Sequence, residues 1–386
     1  MRPTCVSLEM RVSTWWLVCC LQAANGILVP METPKQPHPA WRKTVRAPAE
    51  AHTTVLFVLK TNPEKQAVLE RTFWEVSDPR HANYGRYLTL PDIAEMAAPE
   101  PAHLRLVLEF LSGSGVPDTA VNVVQARDVV YVKCSSALLE RMLNTTLYLY
   151  SNQVNKTVIR TDSYYLPEYV SEVVALVGNL VTFPPARVKT TTASAERNAS
   201  AAAQWPDQCG GKCTGKITPA VIRRQYNITA PPTVAGNSLG IAEFVGQYYD
   251  QADLNEFTDS CSEARIVIAD AGGRNSPSSC TSNPDNCIES LLDLEIIGPL
   301  AHGIPLVDYY LQAYSVLEWA TAVNNMTQPA LVWSVSYGDD ESMHTASEMA
   351  AANLQFQKLA LRGLSVFFAR CACVHVRACA CVCVFG

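Results

Sequence analysis

Glu289 and Asp293 are the residues of this chain best placed to do proton chemistry. They stand four apart in Cys287-Ile-Glu-Ser-Leu-Leu-Asp-Leu-Glu-Ile-Ile-Gly298. On a helix that spacing puts both side chains on one face. A carboxylate can serve as a general base, and a second one beside it can hold and tune the first. Two like charges so placed cost roughly 0.2–0.5 kcal/mol when solvated and more when buried. Ile288, Leu291, Leu292, Leu294, Ile296 and Ile297 leave no wide polar stripe, which predicts a buried helix. Taken alone, Glu-x3-Asp is equally the pattern of a solvated helix surface, and that is its commoner meaning.

Other chemistry-bearing stretches are weaker. Val335-Ser-Tyr-Gly-Asp-Asp-Glu341 ends an apolar β-rich run and, taken alone, reads as a strand-to-helix turn. Its Asp339, Asp340 and Glu341 also suit a helix N-terminus. His302-Gly303 leads into an apolar strand rather than opening a helix, which sets aside a His-dependent protease. The Cys-x-Cys run after Cys371, with His375, has soft metal ligands. Every residue from Cys371 to Val384 can, however, be encoded by alternating pyrimidine and purine, so residues 370–386 read as a translated repeat. No metal site is expected from them.

The elements that must hold these residues fall into two groups. From about residue 42 to 185, strand-like runs (53–60 and 128–134) alternate with helical ones (63–76, 101–111 and 135–143), predicting an α+β unit with an antiparallel sheet. Residues 186–216 are small and polar with no apolar period, an exposed linker where processing is expected. Beyond it, strands at 238–244, 265–269, 304–309, 330–337 and 364–369 alternate with helices at 288–300, 313–324 and 343–362. That is βαβ patterning and predicts a doubly wound parallel sheet, with ligands at the carboxyl ends of its strands.

At 386 residues the chain is long enough for two domains, and 48% hydrophobic residues mark it as globular. A net charge of −6 without a basic stripe argues against nucleic acid as partner. Residues 1–26 read as a secretory signal: Arg2 and Arg11 flank Met10 (an alternative start), then comes an apolar core, then Ala23, Ala24 and Gly26. The core is too short to span a bilayer, so no membrane anchor is expected. Sequons at Asn144, Asn155, Asn198, Asn227 and Asn325 fit the same route as glycosylation sites, and the destination expected is secreted or lysosomal/vacuolar. Of 14 cysteines, Cys280 and Cys287 make a plausible bridge, while connectivity as a whole is not legible in sequence.

Two stretches carry a family resemblance. Val76-Ser-Asp-Pro-Arg-His-Ala-Asn-Tyr-Gly-Arg-Tyr-Leu-Thr89 resembles the propeptide signature of the sedolisins, the serine-carboxyl peptidases, in their tripeptidyl-peptidase branch. Lys216-Ile-Thr-Pro-Ala-Val-Ile-Arg-Arg-Gln-Tyr-Asn-Ile228 resembles the entry to their catalytic domain. The resemblance implies a ferredoxin-like propeptide over 42–185 and the first part of a subtilisin-like peptidase domain over 217–369, incomplete at its C-terminus. It implies Glu289 as general base for a serine nucleophile, with Asp293 holding it, and a tripeptide-releasing zymogen whose own propeptide inhibits it. A carboxylate base with an ordinary pKa of about 4.3 works in acid. It further implies that Trp319, Ser336, Tyr337 and Gly338 meet the peptide substrate. Calcium belongs to the full family fold, in a loop this sequence does not contain. After Ala369 the family continues with Ser-Gly-Asp-x-Gly and, later, Ser-Gly-Thr-Ser, and neither is present here. The rival expectation is therefore a non-catalytic secreted inhibitor or binding protein.

Overall fold

The computed structural model describes residues 26–33, 38–153, 156–184, 209, 216–229, 236–338, 341–369 and 384–385. After β1 (Leu28–Glu32) and β2 (Arg42–Arg46), the first half is organised by β3 (His52–Leu59), whose last five residues are all buried. β3 lies between β5 (Val129–Ser135) and β9 (Val174–Gly178). With β4 (Val121–Val123) they form an antiparallel sheet in the order β4-β5-β3-β9. Successive side chains of a strand point to opposite faces. Val55, Phe57 and Leu59 join Val107, Phe110 and Leu111 of α3 (Pro101–Gly113) and Leu139 of α4 (Ser136–Met142). Leu56 and Val58 point the other way, to Leu317 and Ala351 in the second half of the chain. Burial on both faces is why the strand is apolar without alternation.

A second sheet, β2-β6-β7, uses β6 (Tyr148–Ser151) and β7 (Thr157–Arg160), and β1 pairs with β8 (Tyr164–Pro167). Helices α1 (Pro63–Ser77) and α2 (Leu90–Ala97) pack through Leu69, Phe73, Val76, Ile93 and Ala97, in one cluster with Ala360 and Leu361 of the second half. Sequence reading missed α2. Its start is a capping box in which Thr89 and Asp92 satisfy each other's backbone N–H groups.

The second half holds five parallel strands in the order β11-β12-β10-β13-β14. They are β10 (Leu239–Phe244), β11 (Ile268–Gly272), β12 (Leu306–Leu311), β13 (Val332–Val335) and β14 (Ser365–Phe368). Val384–Phe385 pairs antiparallel with β14 at the edge. One face carries Ile241 and Leu306 against Leu254 of α5 (Gln251–Cys261) and Leu294 of α6 (Ile288–Leu300). The other carries Ala242, Tyr309, Trp333 and Val335 against Trp319 and Val323 of α7 (Val316–Asn324) and Leu359 of α8 (Ala346–Leu361). Gly240 sits opposite Trp333 in register, and a Cβ there would stand 2.4 Å from the indole, so only glycine fits. The parallel sheet with helices on both faces is as the βαβ pattern predicts. One strand is displaced: β11 was expected at 265–269 and runs from Ile268 to Gly272. Ile266 is spent packing under Gly298 of α6, and Val267 is exposed.

The two halves meet along α7 and α8. Asp128 and Lys358, both buried, form an ion pair, and Gln355 Nε2 donates to the same Asp128 oxygen at 2.9 Å. Asn179 Nδ2 donates to Glu318 at 2.7 Å and Thr182 to Glu348 at 3.0 Å. The stretch 76–89 docks here too. Leu88 N–H donates to the Leu361 carbonyl at 2.8 Å, and the Tyr87 ring covers Gly363, where a Cβ would meet it at 2.5 Å. The expected signal segment lies outside the described residues except Gly26. So do the expected linker except Cys209 and Lys216, and the expected repeat-like tail except Val384–Phe385.

Candidate active site

Helix α6 starts where a disulfide and a side-chain clamp meet. Cys287, its N-cap, is bridged to Cys280 as the spacing suggested, and a second bridge joins Cys209 to Cys261. Gln247, in the loop after β10, accepts the Glu289 N–H at 3.1 Å and donates to the Asp285 carbonyl at 2.9 Å. The first turn of α6 is thus tied to the carboxyl end of β10, where parallel sheets hold their ligands.

Glu289 and Asp293 are both half-buried on this helix. Asp293 Oδ2 accepts a hydrogen bond from Ser336 Oγ at 2.6 Å, so α6 is joined to the residue just after β13. Tyr337 is buried and donates to Glu243 Oε2 at 3.0 Å, and Gly338 follows half-buried. The structure therefore brings Glu289, Asp293, Ser336 and Tyr337 into one neighbourhood. Trp319 is elsewhere. It is fully buried on the opposite face of the sheet, edge-on to Trp333 at 5.5 Å. The expectation that α6 is buried all round is corrected: Ile288 and Leu292 are 56% and 53% exposed, while Ser290, Leu294 and Pro299 face the sheet.

Two acids that sequence reading passed over lie beneath this pair. Glu243 of β10 is fully buried, and its Oε1 has no hydrogen-bond partner. Asp308 of β12 is 3% exposed, and its Oδ1 is equally unpartnered. Burial pushes Glu243 well above the usual carboxylate range, helped by the charges of Asp293 and Asp308. Burial likewise pushes Asp308 up to about 7, helped by Asp270 and Asp293. Lone acids in apolar strands, Ile-Ala-Glu-Phe and Leu-Val-Asp-Tyr, were the available signal.

This has a measurable consequence. Asp308 titrates higher folded than its ordinary value of 3.8. Its stabilising share is complete below that value and is lost as pH rises through about 7. At 1.36 kcal/mol per unit, the loss is of order 4 kcal/mol. Urea unfolding at pH 4 and pH 7.5 is expected to show that drop, largely removed in Asp308→Asn. An unchanged slope in the variant would mean that Asp308 is ionised or hydrated.

Among the described residues no group of three or more His, Cys, Asp or Glu side chains could hold a metal ion, and no helix is long and apolar enough to cross a membrane. Of the sequons, Asn144, Asn227 and Asn325 are exposed, and Asn325 Oδ1 accepts the Gln125 N–H at 2.8 Å. Asn155 and Asn198 lie outside the described residues.

Residues 39–183 match the family described as Pro-kumamolisin, activation domain. The chain is 30% identical over 352 residues to Tripeptidyl-peptidase 1 of Mus musculus, and 28% over 357 residues to that of Homo sapiens. Each match covers 86% of this chain and 58% of the relative, so the chain spans little more than half the length of these proteins. Among solved structures it is similar to Pseudomonas sedolisin, a serine-carboxyl proteinase, complexed with two molecules of pseudo-iodotyrostatin. That match has 22% identity and a TM-score of 0.33, and it covers 39% of this chain and 43% of that one.

Proposed function

We propose that this chain is a relative of the sedolisin peptidases in their tripeptidyl-peptidase branch and is the zymogen portion of a serine-carboxyl peptidase releasing tripeptides from peptide N-termini in acid. The observation that carries the proposal is the Glu289–Asp293 pair at the carboxyl end of the parallel sheet, with Asp293 anchored by Ser336. Glu289 is the general base, and Asp293 fixes its setting as the third member of a triad does. Ser336, Tyr337 and Gly338 form the strand end along which a peptide backbone pairs.

On this reading residues 42–185 are a ferredoxin-like inhibitory propeptide, cut from a subtilisin-like domain within 186–216. In the sedolisins the nucleophilic serine, the oxyanion-stabilising Asp and the calcium loop belong to the part of the fold beyond the region that resembles this chain. Delivery through the secretory pathway to an acidic compartment, with glycans on the sequons, completes the proposal.

The test joins this chain, in frame after Ala369, to the downstream segment of its own locus and follows tripeptide release from a peptide with a free N-terminus between pH 3 and 6. Glu289→Gln is expected to lower the rate by about 10⁴-fold or more, as removal of one member of a catalytic unit does. Turnover that survives Glu289→Gln rejects the assignment. Turnover by the 386-residue chain alone that is lost in Ser336→Ala makes Ser336 the nucleophile.

A further inference from the structure

Three neighbouring strands present carboxyl groups on the sheet face that α6 covers. Asp270 of β11 stands opposite Asp308 of β12 in register, and Asp308 stands opposite Ile241 of β10. Glu243, two residues beyond Ile241, shares that face because side chains alternate along a strand. Ile241, Leu306 and Leu294 close over the same face and keep water out. The row runs from solvent to interior: Asp270 is exposed and accepts the Tyr249 hydroxyl at 2.7 Å, whereas Asp308 and Glu243 are buried. Asp293 approaches from α6 above.

A buried carboxylate with an unpaired oxygen is costly, and such a group takes up a proton instead. Among the described residues, the titratable groups that interact with Asp308 are acids or phenols: Asp270 from β11, Glu243 from β10, Asp293 from α6 and Tyr249 before α5. We propose that Asp308 is a positioning residue for the Glu289–Asp293 pair, keeping the sheet face below Asp293 uncharged while it holds its proton and setting a second negative charge there when it loses it. With Asp308 neutral, Asp293 is free to carry the charge of that face and to hold Ser336. With Asp308 ionised, its proton has gone to solvent and its charge repels that of Asp293, so the Ser336 contact loosens and the setting of Glu289 is lost. The site is thus confined to acid from beneath. This role rests on the peptidase reading, but the proton itself does not.

The test is a titration of the 386-residue chain carrying ¹³C-carboxyl aspartate, followed by NMR, with Asp308→Asn and Asp308→Val assigning the signal by its absence. One aspartate is expected to titrate near 7. In Asp293→Asn its midpoint is expected to fall by on the order of one unit, since a neighbouring charge has been removed. A midpoint in the ordinary range overturns the proposal, and so does a raised midpoint that Asp293→Asn leaves in place. Neither outcome depends on peptidase activity, so a coupled titration here, together with a joined chain that releases no tripeptides, would sink the peptidase reading alone.

Discussion

Lys358→Met is expected to destabilise the chain by about 3–5 kcal/mol, the cost of stranding one buried partner of an ion pair. Lys358 and Asp128 are 1% and 2% exposed, and they come from opposite halves of the molecule. Without the ammonium, Asp128 keeps the Gln355 amide, and no neutral donor matches the charge it has lost. Asp128→Leu should cost about as much, because it strands the cation instead. Replacing both, as Asp128→Leu with Lys358→Met, should recover most of the loss, since well-packed apolar pairs replace buried ion pairs at little cost. Urea unfolding of the four proteins gives the coupling directly. Single variants within 1 kcal/mol of wild type would mean that the pair is hydrated and does not hold the halves together. If it does hold them, a chain nicked between residues 184 and 216 should stay associated through gel filtration, and nicked Lys358→Met should separate.

Trp319→Ala should cost a further 3–5 kcal/mol, the range for emptying a large aromatic site in a packed core. The indole touches no solvent and packs edge-on with Trp333 and with Phe368 at 6.3 Å. Its Nε1 donates to nothing, so Trp319→Phe forfeits volume but no hydrogen bond and should cost clearly less. Thermal and urea unfolding by circular dichroism distinguish the two. A near-neutral Trp319→Ala would mean that the side chain spends its time out of the core, at the surface where a substrate could meet it.

Much of the architecture was legible because burial leaves a period in sequence. The parallel strands of the second half are mostly apolar runs, interrupted by single acids, and are separated by helices; α6 was read at its observed limits, Ile288–Leu300. The same logic reads β3 as a strand but does not say what covers it. An apolar residue looks alike whether its cover comes from its own half, as at Val55 and Phe57, or from the other, as at Leu56 and Val58. Short elements fixed by pairing rather than by period, such as β6, β7 and α2, left little trace.

What the sequence by itself determined is the local chemistry. It set Glu289 and Asp293 on one helical face, the Cys280–Cys287 loop, the two patterned halves and the signatures at 76–89 and 216–228. Spacing along a helix is fixed by its 3.6-residue turn, whatever surrounds it. Only the tertiary structure decided that Ser336 is the hydroxyl on Asp293, that Trp319 is a core residue, and that Asp128 finds Lys358 across 230 positions of chain. It alone placed Asp308 and Glu243 under the pair. Those facts depend on which strands are neighbours, and the order β11-β12-β10-β13 is set by packing between segments distant in sequence. A carboxyl group becomes a proton-holding acid through the water it loses and the charges it faces, and neither is written in its own stretch of chain.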